Sequence, residues 1–164
     1  MFQMKAFKKL IAAALVCALA LTMLTACGGG SGSGAGDFGA KLTSALKGKG
    51  IEVTYDAGLT QKAEKFAASL KVVDPKELDK MTEEEEDAFF AKLMTDAGIN
   101  VLTEIPVIGE GDTEEAQVAD VVKDMADGKG AGFVFSKYGY CKVDYNGKSG
   151  VIVLASYTYD LSKA

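Results

Sequence analysis

Few side chains in this sequence can do chemistry, and the usual catalytic ones are missing. The 164 residues contain no His, no Trp and no Arg, so all 18 basic residues are lysines. Without His, neither a Ser-His-Asp nor a Cys-His nucleophile can be assembled, and a His-ligated zinc site is out of reach. Without Arg, the bidentate grip on phosphate or carboxylate is lost. Three cysteines, the lysine ammoniums and 23 carboxylates remain. Cys17 lies within an apolar run, where a thiol acts as a small hydrophobe. Cys141 sits among residues that alternate as a strand does, with Lys142 as the only neighbouring cation, so nothing argues for an activated thiolate. Glu104, Glu110 and Asp112 are the carboxylates nearest a Pro- and Gly-containing segment. Such groups divide acid and base roles when their environments separate their pKa values. The acidic run Glu83 to Asp87 lacks the alternation and the glycine of an EF-hand loop, and reads as a solvated helix start. No cofactor and no metal site is expected from this inventory.

The third cysteine, Cys27, has the most informative surroundings. Lys5, Lys8 and Lys9 supply positive charge, Leu10 to Met23 is apolar, and small residues follow, which are the three parts of a secretory signal. The site ends in cysteine where an ordinary signal has another small residue. Leu24-Thr25-Ala26-Cys27 resembles the lipobox of bacterial lipoproteins. The resemblance implies a diacylglyceryl group on the Cys27 thiol, cleavage before Cys27, and acylation of the new amino terminus. Read instead as a retained membrane span, residues 10 to 26 are marginal against the roughly 17–25 apolar residues that crossing requires. No basic residues flank the far side. Gly28 to Gly36 contains only Gly, Ser and Ala, a flexible tether with nothing to pack. Each buried methylene contributes about 0.8 kcal/mol, so two or three acyl chains hold a protein on a bilayer.

The expected organisation is therefore a signal peptide over 1–26, a lipidated cysteine and tether over 27–36, and one globular domain over 37–164. The length suits a single core. Loss of three lysines with the leader leaves 15 against 23 acidic residues, a net charge of −8. Such a domain gains nothing from anionic headgroups, and nucleic acid is not an expected partner. After lipidation Cys141 is the single thiol left, so no internal disulfide is expected.

Along that domain, Phe38, Leu42, Ala45 and Leu46 share a helical face that Gly48 and Gly50 end. Ile51 to Tyr55 reads as extended, and Asp56 as the N-cap of a helix over 57–71 that aligns Leu59, Ala63, Phe66, Ala67 and Leu70. Pro75 opens a short turn of helix through Leu78. Thr82 and Glu85 form a capping box before a helix that buries Phe89, Phe90, Leu93, Met94 and Ala97 and stops at Gly98. Ile99 to Ile105 reads as a strand interrupted by Pro106. A helix over 113–127 is expected to bury Ala116, Ala119, Val122, Met125 and Ala126.

The last third is β: a short piece Phe133 to Phe135, then Tyr138 to Tyr145, Asn146-Gly147 as a type I′ turn, and Lys148 to Tyr159. Counting back from the turn pairs Val143 with Gly150, Cys141 with Ile152 and Gly139 with Leu154. Tyr140, Val151, Val153 and Ala155 fall on the other face. Both faces are apolar, so helices must cover both, giving an α/β fold layered as an α/β/α sandwich on a mainly antiparallel sheet.

Leu59-x3-Ala63-x3-Ala67 after Tyr55-Asp56 is similar to the early helix of the CAP superfamily, the SCP-like domains of bacterial surfaces. Asn100 to Gly111 takes the place of that family's Gly-Glu-Asn strand. Tyr138 to Val143 with Val151 to Leu154 resembles its closing hairpin. The family's cavity uses two His and two acidic residues, a tetrad this chain cannot build. By position, the resemblance puts Glu104 at the acidic site and Lys129 near the second His, making a candidate cleft. The alternative readings are an exposed strand residue for Glu104 and a helix C-terminal cation for Lys129.

Three functions follow as expectations. The leading one is a non-catalytic SCP-like module tethered to the extracytoplasmic face of the membrane, binding a peptide, cell-wall fragment or small molecule; it is not expected to be an enzyme. The second is a carboxylate-dependent cell-wall hydrolase using Glu104, Glu110 and Asp112, disfavoured by the lack of Trp. The third is an adhesion or assembly subunit that pairs through Tyr138, Tyr140, Tyr145, Tyr157 and Tyr159 on the hairpin edge.

Overall fold

The computed structural model describes residues 36–78, 80–145 and 148–163. Cys27, its preceding motif and the Asn146-Gly147 turn lie outside the described residues. Helix α1 (Gly36–Gly48) buries Phe38, Leu42 and Leu46, three and four residues apart. Two-residue strand β1 (Thr54–Tyr55) leads into α2 (Ala57–Leu70), where the Asp56 carboxylate accepts from Leu59 N–H at the N-cap. After the single turn α3 (Pro75–Leu78), Thr82 and Glu85 complete both halves of the capping box that starts α4 (Glu83–Asp96). Strand β2 (Glu104–Glu110), helix α5 (Glu114–Gly130), and strands β3 (Phe133–Tyr145) and β4 (Lys148–Tyr159) follow, with a 3-10 turn over Leu161–Lys163.

The four strands form one mixed sheet in the order β1-β3-β4-β2. β3 pairs antiparallel with β4 and β4 with β2, while β1 adds a short parallel edge. The β3–β4 register is the one counted from the turn: Val143 opposite Gly150, Cys141 opposite Ile152, Gly139 opposite Leu154. Two apolar clusters sit on its two faces. Phe38, Leu46, Val121, Met125, Tyr138 and Val153 represent one, under α1 and α5. Phe66, Leu70, Phe90, Met94, Ile152 and Leu154 represent the other, under α2 and α4. Among the described residues no helix is long and apolar enough to cross a membrane.

Three boundaries differ from expectation, each for a physical reason. The strand expected over 99–105 occupies Glu104–Glu110, with Pro106 inside it. Residues 100–104 form a turn instead: Asn100 O accepts from Thr103 N and Glu104 N, and Asn100 Oδ1 from Leu102 N. Pro106 is tolerated because β2 is an edge strand. Glu110, of the same parity, sends its N–H to the Asp120 carboxylate rather than to β4, so the missing proline N–H falls on the outer side. In α5 the buried stripe is Val118, Val121, Val122 and Met125, while Ala116 and Ala119 are exposed. Branched side chains fill the interior better than alanines, and buried Gln117 fixes the rotation by donating to Gly111 O and Ser149 Oγ at 2.9 Å each. The separate pieces 133–135 and 138–145 are one strand, joined through an irregularity at Ser136.

Candidate functional site

Glu104 and Lys129 do not share a cleft. Glu104 opens β2 with a side chain only 11% exposed; Oε1 lies 2.6 Å from Lys62 Nζ of α2, and Oε2 accepts from Asn100 N–H at 2.8 Å. It closes the 100–104 turn and clamps α2 to the sheet. Lys129, near the end of α5, donates from Nζ to Lys49 O at 3.2 Å and Gly50 O at 2.8 Å. Those carbonyls belong to the turn that follows α1, so the cation pins the exit of the neighbouring helix rather than capping its own. Along β2, Ile105 and Val107 point to the α1–α5 cluster and Ile108 to the α2–α4 cluster. Alternation therefore sends Glu104 to the face opposite Lys129.

The other candidates are not gathered into one site either. Glu110 is six residues from Glu104 along extended chain, about 20 Å, beyond the roughly 5–10 Å separation of paired glycosidase carboxylates. Glu110 and Asp112 are both exposed. Cys141 is a core residue, 1% exposed. Tyr138 and Tyr140 point inward, not to a contact patch on the hairpin. The Tyr138 hydroxyl donates to Gly39 O and meets Thr43 Oγ1, both at 2.9 Å. Burial raises the pKa of Tyr138, Tyr140 and Tyr157 above the ordinary phenol value.

What the fold does assemble is a surface groove of about 770 Å³ between α1 and α5. The two helices run parallel. Near their amino ends, Lys41 Nζ contacts Glu114 at 3.3 Å and Glu115 at 2.9 Å; at their carboxyl ends Lys129 reaches the Lys49 and Gly50 carbonyls. Ala45, Val118, Ala119, Val122 and Ala126 make an apolar floor. The α1 rim carries Lys41 and Lys49; the α5 rim carries Glu115, Lys123 and Asp127. Beside the upper end, Lys142 also bonds Glu114, so that Glu114 is held below the usual carboxylate range by Lys142 first and Lys41 second. Lys41 is correspondingly pushed up by Glu115 and Glu114.

Sequence reasoning missed this groove because its residues are ordinary surface types. The available signal was spacing: Lys41 and Ala45 on α1 with Lys49 just past its end, and Glu115, Ala119, Lys123 and Asp127 on α5, each recur every four residues. No family model, curated protein or solved structure matches the chain.

Proposed function

We propose that this protein is an extracytoplasmic lipoprotein: a non-catalytic domain held on the membrane through Cys27, which binds a macromolecular partner across its α1–α5 face. The observation that carries the proposal is Leu24-Thr25-Ala26-Cys27, placed between a charged and apolar leader and a Gly/Ser/Ala tether. A fold whose first helix starts at Gly36, where that tether ends, is consistent with it. An SCP-like architecture belongs to the same proposal. Helices on both faces of a sheet closed by an antiparallel hairpin support it. The departure from that family is the lack of any imidazole, so a His-lined metal tetrad is not rebuilt in this chain.

Mass spectrometry of the protein from bacterial membranes tests the anchor. The expected product begins at Cys27 and carries two or three acyl chains. Cys27→Ser leaves the leader uncut, and a bare thiol in the native product overturns the proposal. Binding is tested with Ala119→Arg, which fills the groove floor from an exposed position. Loss of partner cross-linking on isolated envelope is expected, and unchanged cross-linking excludes the groove as the binding face.

A further inference from the structure

We infer that the α1–α5 groove is the seat of a second copy of this chain, related by a two-fold axis running along the groove. The inference deepens the proposed function by naming the partner, and it starts from charge. The α1 rim is basic, with Lys41 and Lys49, and the α5 rim carries Glu115 and Asp127. An isologous pair places the same patch on both copies, and the axis must lie in the plane between them. With the axis across the helices, each basic rim would meet its own copy. With the axis along the groove, α1 of one copy lies over α5 of the other at the same height. Lys41 then lies near the partner's Glu115 and Lys49 near the partner's Asp127; eight residues against twelve leave about 6 Å of offset along the axis, which lysine side chains span. Among the described residues Lys49 and Asp127 make no ion pair, so both charges are available to the partner. Lys123, the one cation on the α5 rim, has Asp127 four residues on as its helix neighbour.

The length of chain before the fold points to the same axis. In this arrangement all four helices are parallel, so both copies begin α1 at the same end of the pair. Eight residues, 28–35, separate each start from Cys27, a root-mean-square reach of about 16 Å for a flexible chain. Both lipids can then enter one bilayer, with the axis along the membrane normal. Confinement to that surface raises the effective concentration of copies, so a weak pair suffices.

The test uses the full chain, processed in bacteria and solubilised in detergent, with association read by sedimentation across concentration. Wild type is expected to pair. Lys49→Glu alone and Asp127→Lys alone each place like charges together at both symmetric contacts, weakening association by about tenfold or more. A mixture of the two variants restores pairing, because the heterodimer has Glu opposite Lys at one contact and the native pair at the other. Shared micelles would not follow that pattern. Monomers at every concentration, or variants that associate like wild type, overturn the inference. So does a mixture that stays as weak as its components. The mass at Cys27 in the same samples separates the two claims: lipidated monomers refute pairing alone, and charge-dependent dimers with bare Cys27 refute the anchor alone.

Discussion

The two faces of the sheet are covered in different ways. On the α2–α4 side the helix lies against the strand backbone itself. A Cβ built on Gly139 of β3 would stand 2.1 Å from Thr60 N and 2.5 Å from Leu59 C, both α2 backbone atoms. Asp56 with Lys137 and Lys62 with Glu104 tie the same helix at both sides. On the other side only the start of α5 comes as close, at Gly109, where a Cβ would stand 2.6 Å from Gln117 O; α1 is held off by long side chains, among them Tyr138 and Phe38, and the two helices part enough to leave a groove. Close backbone approach along α2 gives a closed face; the side-chain spacers under α1 leave room beside it.

The largest expected effect attacks the closed face. Gly139→Ala should destabilise the domain by about 3 kcal/mol, because only backbone can give way. A denaturant midpoint close to wild type would mean that α2 is not held against β3 as described. Next comes the spacer side. Tyr138→Phe removes the hydroxyl bonded to Gly39 O and Thr43, and should cost about 1.5 kcal/mol in chemical denaturation.

The same residue sharpens the comparison through pH. A tyrosine whose folded pKa is raised contributes stability that is fully present below the unfolded value near 10 and is lost as pH rises through the folded value. The raised tyrosines belong to or border the α1–α5 cluster, so alkaline unfolding should start there. Tyr138→Phe should flatten that limb of the stability curve. An unchanged limb would assign the alkaline loss elsewhere.

A smaller effect tests the start of α2. Asp56 is held below the ordinary carboxylate value, chiefly by the Leu59 N–H and then by Lys137 against opposing desolvation. Its contribution is therefore present above pH about 4 and lost as pH falls through the folded value. Asp56→Ala should cost about 1 kcal/mol at neutral pH and progressively less in acid, read as the difference between two unfolding curves. The smallest change is a gain: Gly48→Ala, where nothing lies within 4 Å, should stabilise α1 by about 0.5 kcal/mol.

Much of this architecture was legible because local rules coincide with it. Counting back from Asn146-Gly147 along strict alternation gives the register that the described residues of β3 and β4 show, and alternation with both sides apolar calls for helices on both faces. Asp56, Thr82 and Gly98 marked helix ends through capping chemistry that depends on a few adjacent residues. Where the reading failed, the decisive partner lay far away in sequence. Pro106 stays in a strand because of which edge β2 occupies, and Gln117 turns α5 through Ser149, 32 residues on. The Glu104–Lys129 cleft failed for the same reason. Each charge had a closer partner, Lys62 in one case and the end of α1 in the other, that no spacing along the chain announces.

The tie between the Tyr138 hydroxyl and Gly39 O has a mechanical side. Any pull on the chain ahead of Gly36 enters α1 lengthwise and meets that bond within the first turn, with the Lys41 clamp just behind. Load therefore passes at once to β3, an inner strand with neighbours on both sides, instead of peeling the helix from its end. A domain dragged by its leash would resist as a sheet does in shear, with the first helix acting as the coupling.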